Sequence, residues 1–246
     1  MTTNWKTLVA IATYNERENI PDLVKSIRQV TPTTDLLVID DGSPDGTGSW
    51  CEQMAGENAW FHFIQRGAKQ GLGTATICGM QFAIESNYDL WIGMDADLSH
   101  PPERLPAMIA KIGERFDSDY DLVIGSRYIA GGSIVGWPLK RRLMSRAVNF
   151  YSRVMLGLNP RDCSGAFRCC RVPLLEQLEF STFLSTGYSF MEEFLWRMKR
   201  VDARMAEVPI QFLERQQGQS KLNYREALKA LGVISKLGIR NWLGRD

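Results

Sequence analysis

Two hydrophobic periods alternate along the first 130 residues. Short apolar runs, five to seven residues long and bounded by turn formers, read as buried strands over 7–12, 35–39, 59–65, 90–94 and 121–125. Between them, apolar residues recur at helical spacing and predict helices over 20–29, 47–55, 71–86 and 102–113. Asn19 and Thr47 stand where N-caps belong, and Pro21 suits a first turn. This strand–helix alternation predicts an α/β fold with a mostly parallel central sheet and helices on both faces. Beyond residue 130, Gly131-Gly132 and Gly136-Trp137-Pro138 punctuate a flexible connection. Helices are then predicted over 139–156, 188–200 and 224–243, with a strand over 204–212.

In parallel sheets, ligands bind beyond the carboxyl ends of the strands. Four polar clusters fall at those ends: Tyr14 and Glu16, Asp40 and Asp41, Asp95 and Asp97, and Arg127. Asp95-Ala96-Asp97 alone suits a solvated strand end equally well. If the strand continues, period-2 geometry puts both carboxylates on one side, where two acids repel unless a cation lies between them. The coincidence of four clusters on one rim shifts the reading to a binding site. Gly71-Leu72-Gly73 lacks the third glycine of a dinucleotide fingerprint and reads as a closely packed helix start rather than an NAD site.

Charge changes the picture of the second half. Residues 1–130 hold 18 acids and 10 Lys/Arg, whereas 131–246 hold 10 acids and 19 Lys/Arg, so a net charge of +1 conceals a basic half. On the helix over 139–156, Leu139, Leu143, Ala147, Phe150 and Val154 share a face. Arg142, Arg146 and Arg153 line its edge, and Arg141 and Ser145 point elsewhere together. Either this helix packs its apolar face on the domain and snorkels its arginines, or it lies on an anionic lipid interface. The last helix is also basic and amphipathic, with Leu228, Leu231, Ile239 and Trp242 on one face beside Arg225, Lys229, Lys236 and Arg240.

The 246 residues are 44% apolar, enough for a large single core. Five cysteines without metal or redox spacing, and no leader pattern at the start, are expected of a reduced, cytoplasmic chain. No apolar run reaches the ~18 residues a membrane span needs. A nucleic-acid binder needs aromatic platforms between its cations; here the cations sit beside aliphatic residues, so no nucleic-acid partner is expected.

Paired carboxylates, a second acidic turn, a tyrosine and several arginines suit a nucleoside diphosphate held through Mg²⁺ or Mn²⁺. Arg127, Arg141 and Arg215 offer forked donors for a second anion.

The ordered blocks Thr13-Tyr14-Asn15-Glu16, Asp40-Asp41-Gly42-Ser43-Pro44-Asp45-Gly46, Met94-Asp95-Ala96-Asp97-Leu98-Ser99-His100, Gly125-Ser126-Arg127-Tyr128, Trp137-Pro138-Leu139-Lys140-Arg141-Arg142, Ser164-Gly165-Ala166-Phe167-Arg168 and Ser220-Lys221-Leu222 give the chain a family resemblance. It resembles the family 2 glycosyltransferases of GT-A fold, and within them the polyprenol- or dolichol-phosphate mannosyltransferases. The resemblance implies a catalytic domain over 1–222, with the basic helix region 131–160 inserted. A C-terminal amphipathic helix over 223–246 follows, without the transmembrane hairpin that some relatives carry. It implies transfer of mannose from GDP-mannose to a polyprenyl phosphate, with inversion, and leaves another nucleotide sugar, UDP-glucose for example, or another acceptor as the alternative. By the same resemblance Tyr14, Glu16, Ile39 and Asp41 hold the nucleoside, and Ala12 stands where the family usually has proline. Asp95, Ala96 and Asp97 form the D-x-D segment, with Asp97 the direct metal ligand and Ser99 where some relatives place a glutamine ligand. Arg127, Arg141 and Ser145 match positions gripping the lipid phosphate, and Arg215 and Lys221 a loop closing over the donor. Asp95, Asp97 and Arg127 are the expected catalytic residues. The expected location is the cytoplasmic face of a membrane, bound peripherally through the basic helices or through a membrane anchor subunit.

Overall fold

The computed structural model describes residues 5–113, 120–187, 189–214 and 224–243, with 224–228 through their backbone alone. In chain order the elements are β1 (Thr7–Thr13), α1 (Ile20–Val30), β2 (Asp35–Asp40), α2 (Thr47–Glu57), β3 (Phe61–Gln65), α3 (Leu72–Glu85) and β4 (Leu90–Asp95). A 3-10 turn over Pro102–Arg104 leads into α4 (Leu105–Ile112), β5 (Leu122–Ser126), β6 (Ser133–Val135) and α5 (Leu139–Leu156). Then come β7 (Arg168–Arg171), α6 (Val172–Leu175), α7 (Phe190–Arg200), β8 (Met205–Pro209), β9 (Gln211–Leu213) and α8 (Tyr224–Leu243).

Seven strands form one sheet in the order β3-β2-β1-β4-β7-β5-β8, parallel throughout except for β7, which runs antiparallel between β4 and β5. Strands covered on both faces read as unbroken apolar runs. Their alternate residues sort into two cores. Val9, Ile11, Leu36, Val38 and Ile92 pack with Leu23 and Ile27 of α1 and Met108 of α4. Leu8, Ala10, Leu37, Ile39 and Trp91 pack on the opposite face with Ala75 and Met80 of α3 and Phe190 and Phe194 of α7. Gly93 of β4 leaves room for the Trp91 indole, since a methyl there comes within 2.6 Å of the ring.

Several expectations are corrected. Asn19 stands at the N-cap of α1 as expected, but its side chain makes no cap bond and gives its amide to Glu16, and Thr47 begins α2 with Gly46 at the cap. β4 ends at Asp95, so Asp97 lies in the following bend, with Leu98 left-handed at φ 61°. The strand expected over 204–212 breaks after Pro209, a residue with no N–H for the ladder; β9 then pairs with β6 in a separate two-stranded sheet. β6 itself lies within the stretch expected to be a flexible connection.

The two basic helices are oriented opposite to a simple packing rule. α5 buries Asn149, Ser152 and Leu156, while Leu139 and Phe150 are 70% and 67% exposed and Leu143 and Val154 are also outward. α8 buries Ile234 and Leu237 in the core, whereas Ile239 and Trp242 of its expected apolar face are exposed; Leu228 and Arg225 lie outside the residues whose side chains are described. The two helices pack together, with Tyr151 hydrogen-bonded to Ser235 and the Trp242 indole donating to the Met155 carbonyl.

Gly93→Ala is expected to lower the unfolding free energy by about 1–3 kcal/mol through overpacking against Trp91, measured by urea denaturation.

Candidate active site

The sheet order reverses direction between β1 and β4, making their carboxyl ends the topological switch point where a crevice opens. Ala12 and Asp95 are register partners there, and Ala12, Ile39, Thr76, Gly93 and Asp95 line a narrow crevice beneath the start of α3. The loops after β1 and β2 are tied across the rim by three hydrogen bonds. The backbone N–H groups of Asn15, Glu16 and Arg17 donate to Ser43 Oγ (2.8 Å), Thr47 Oγ1 (3.1 Å) and Asp45 Oδ2 (3.0 Å). Burial alone would raise the Asp45 carboxyl, but the Thr47 hydroxyl and the backbone N–H groups of Arg17 and Thr47 hold it below its usual range. Asp40 is consumed inside its own turn by Ser43, while Asp41 is paired with Arg66, whose Nε donates to Oδ1 at 2.6 Å. Lys69 sits 4.4 Å above the Tyr14 ring. The expected nucleoside residues therefore lie together on one rim, preorganised by partners the sequence reading did not single out.

Asp97 is buried and accepts from both the N–H (3.1 Å) and the hydroxyl (2.5 Å) of Ser99, so Ser99 orients Asp97 here. Asp95 is held by His100, a buried ring whose Nδ1 accepts from the Asp95 N–H at 3.0 Å. The proton consequently resides on Nε2, 3.8 Å from the Asp95 carboxylate. Phe167 stacks on this imidazole at 5.2 Å and Phe212 packs edge-on at 5.6 Å. Asp95, Asp97 and Ser99 present only oxygen, the donor set of a hard divalent cation. Among the described residues no three His, Cys, Asp or Glu gather into a closed metal cage. That composition fits Mg²⁺ or Mn²⁺ completing its shell with substrate phosphates and water.

Across the sheet, Arg127 at the end of β5 is gripped by Asp162. Its Nε and Nη2 donate to the two carboxylate oxygens at 2.7 Å each, and its backbone N–H adds a third bond at 3.0 Å. Nη2 also reaches Ser164 at 2.8 Å. Burial works against both charges, yet each keeps the other ionised: Asp162 lies below the usual carboxylate range and Arg127 above its usual value. Arg127 and Arg141 share the Trp137 ring, at 5.6 and 3.9 Å, and Arg141 pairs with Glu214 at 2.8 Å. Ser145 accepts from the Tyr128 hydroxyl at 2.7 Å. Two of the three expected acceptor-phosphate residues, Arg127 and Arg141, thus meet on Trp137, and Ser145 joins Arg127 through Tyr128, whose ring lies 5.3 Å from the guanidinium. Arg215 and Lys221 lie outside the described residues.

Behind Arg127, the fully buried Arg168 donates to the carbonyls of Cys163, Gly165 and Met191. Glu192, also fully buried and with Oε2 unbonded, is pushed up to about 7 by desolvation, only partly opposed by Arg168. Asp162, His100, Arg66 and Glu192 were not singled out by sequence reasoning. Only His100, within the D-x-D block, carried a local signal.

Comparisons with known proteins bear on the family and the fold. The model of glycosyl transferase family 2 matches residues 8–179. The undecaprenyl-phosphate mannosyltransferase of Micrococcus luteus is 39% identical over 240 residues, covering 97% of each chain. The polyprenol monophosphomannose synthase of Mycolicibacterium smegmatis is 38% identical over 241 residues, covering 98% of this chain and 89% of its own. Among solved structures, glucosyl-3-phosphoglycerate synthase from Mycobacterium tuberculosis, with Mn²⁺, UDP and glucosyl-3-phosphoglycerate bound, superposes with a TM-score of 0.63 at 19% identity. The match covers 98% of this chain and 80% of that one, a likeness of fold.

Asp162→Asn is expected to cost about 3 kcal/mol or more by leaving the Arg127 charge buried and unpaired, measured by chemical denaturation. A second expectation concerns pH. Glu192 binds a proton more tightly folded than unfolded, so stability falls as pH rises from about 5 to 7. Glu192→Gln should flatten that dependence in thermal melts; an unchanged slope would place the proton uptake elsewhere.

Proposed function

Because the chain belongs to glycosyl transferase family 2, we propose that it transfers mannose from GDP-mannose to a polyprenyl phosphate, giving GDP and a polyprenyl phosphate mannose. The observation that carries this reading is the pairing of two sites on one rim. An oxygen-only carboxylate group (Asp95 and Asp97) stands at the switch point, and an arginine–tyrosine–serine group is linked through Trp137, which meets Arg127 and Arg141, and through Tyr128, which meets Arg127 and Ser145. The near-full-length likeness to the two polyprenyl-phosphate mannosyltransferases supports the sugar and the acceptor class.

In this reading Tyr14, Glu16, Ile39 and Asp41 seat the nucleoside, while Ala12 and Ala96 contribute backbone. Asp97, oriented by Ser99, holds a divalent cation that neutralises the departing diphosphate when bound. Asp95, fixed by His100, supports the donor beside it. Arg215 and Lys221 close over the diphosphate. Arg127 and Arg141, with Ser145, orient the acceptor phosphate for in-line attack on the anomeric carbon. The nucleophile is a phosphate monoester oxygen, largely ionised at neutral pH because its second pKa is about 6. No residue has to remove a proton. His100 is already committed to Asp95, and His62 meets Tyr88 in a separate cluster that also holds Asp35. What the protein supplies is positioning and charge.

The outward apolar stripe of α5 supports docking of the enzyme on a membrane that carries its acceptor. No helix among the described residues is long and apolar enough to cross one. Leu139, Leu143, Phe150 and Val154 enter the interface in this reading, and each nearby Lys or Arg adds about 1 kcal/mol on anionic lipid.

The reaction is tested by incubating the protein with labelled GDP-mannose, Mn²⁺ and polyprenyl phosphate, and counting lipid-extractable label. Asp97→Ala should abolish transfer while its circular dichroism and melting stay close to wild type. Undiminished turnover in that variant removes the metal assignment, and preference for UDP over GDP in binding titrations replaces the donor. For docking, Leu143→Glu with Phe150→Glu should reduce flotation with anionic liposomes at least tenfold; equal flotation of variant and wild type places the contact elsewhere.

A further inference from the structure

A second polar feature lies beside the acceptor group and shares only Tyr128 with it. Tyr128, Arg146, Asn149, Phe150, Arg153 and Arg161 line an open cleft of about 300 Å³. Four of them, 146, 149, 150 and 153, are one strip of α5, spaced three and four residues apart. Arg161 comes from the segment after the helix and Tyr128 from the end of β5. The floor is satisfied: Asn149 bonds the Ser145 carbonyl, Ser164 and the Cys163 N–H, and the Tyr128 hydroxyl bonds Ser145. The cations are not. Among the described residues none of Arg146, Arg153 and Arg161 forms an ion pair with a carboxylate, and Nε of Arg153 is buried without a partner. The nearby acids are spent on other groups: Asp162 on Arg127, and Glu207 on the backbone N–H groups of Arg161 and Asp162.

Three guanidinium groups around one cleft with no acid in its lining repel one another unless an anion is shared. Forked guanidinium donors match phosphate oxygens. The cleft's outer edge is Phe150, which continues into the exposed stripe of Leu143 and Val154. A phosphate seated here therefore has hydrocarbon surface directly beside it. The lining contains none of Arg127, Arg141 and Ser145, so the phosphate that belongs here is not the one those residues orient for attack.

We propose that the cleft between α5 and Arg161 is a head-group site for an anionic glycerophospholipid, its phosphodiester held by Arg146, Arg153 and Arg161 and its acyl chains lying along Phe150 and Val154. The site rests on the reading of α5 as the bilayer-facing helix, and it fixes how the acceptor side is turned toward the lipid.

The test separates the two ideas. The intact protein is titrated calorimetrically with dihexanoyl phosphatidylglycerol below its micelle concentration, which requires no bilayer. Dihexanoyl phosphatidylcholine, inorganic phosphate and a short-chain prenyl phosphate are titrated in parallel. Phosphatidylglycerol should bind at least tenfold more tightly than phosphatidylcholine or inorganic phosphate. Combined Arg146→Gln, Arg153→Gln and Arg161→Gln should weaken it at least tenfold. The charge-matched set Lys25→Gln, Arg104→Gln and Lys111→Gln, on the α1 and α4 side, should leave it within twofold. Arg161→Gln alone, outside any helix, should weaken it several-fold and guards against misfolding of the triple variant. Equal losses in the two triple variants, phosphate binding as tight as phosphatidylglycerol, or a cleft-dependent preference for the prenyl phosphate each overturn the proposal. Flotation on anionic vesicles reads docking separately. A protein that floats without cleft-dependent binding of dispersed lipid loses the head-group site and keeps docking. One that binds dispersed lipid through the cleft without floating keeps the site and loses docking.

Discussion

The ion pair between Arg127 and Asp162 is the constraint on which the acceptor half of the molecule depends. Both charges are buried, and each alone would be costly to keep out of water. They persist because the geometry is forked and the remaining lone pairs are used: Asp162 also takes the N–H groups of Arg127 and Gly165. The pair joins the end of β5 to the loop that feeds β7, the one antiparallel strand of the sheet. Arg168 clamps the same loop through the carbonyls of Cys163 and Gly165, and Asn149 of α5 binds its Cys163 N–H and Ser164 hydroxyl. This buried cluster, centred on the ion pair, therefore ties α5 to the end of β5.

That dependence explains the inverted character of α5. A helix that docks on a polar loop must bring polar side chains inward, and Asn149 and Ser152 do so with their hydrogen bonds satisfied. Its apolar residues are left on the outside. At about 25 cal/mol per Å² of apolar surface removed from water, a stripe of this size has a clear gain from meeting hydrocarbon. The inward polarity and the outward apolarity are one arrangement seen from two sides.

The strands of the first half were legible because they are buried on both faces, which leaves uninterrupted apolar runs, and the rim followed from their carboxyl ends. The period of α5 was equally legible, but a period states that a helix has an apolar face and not what that face meets. β7 was missed because Arg168-Cys169-Cys170-Arg171 neither alternates nor reads as apolar; Arg168 is buried with three carbonyl partners, two in the loop just before it and the third, Met191, on α7. Asp162 had no local signature either. Its role arises from Arg127, 35 residues earlier. Asn19 and Thr47 were the right residue types at helix starts, but both are drawn into bonds with neighbouring loops.

The charge asymmetry of the chain acquires a physical reason from this layout. In the proposed reading, the acidic rim that would hold a cation repels an incoming phosphate. The arginines of the second half offset that repulsion, and they must be held in place with acids of their own beside them. Arg127 meets this demand in a particular way. Asp162 occupies one edge of its guanidinium and fixes the plane, so the group is oriented before any acceptor arrives and its positioning costs nothing at the moment of reaction. Trp137 then meets both Arg127 and Arg141 on one ring, which in the proposed reading gathers two cations for the acceptor phosphate. An acceptor that arrives already ionised needs such a cradle more than it needs a base. The histidine nearest the rim is accordingly spent on holding Asp95 in place.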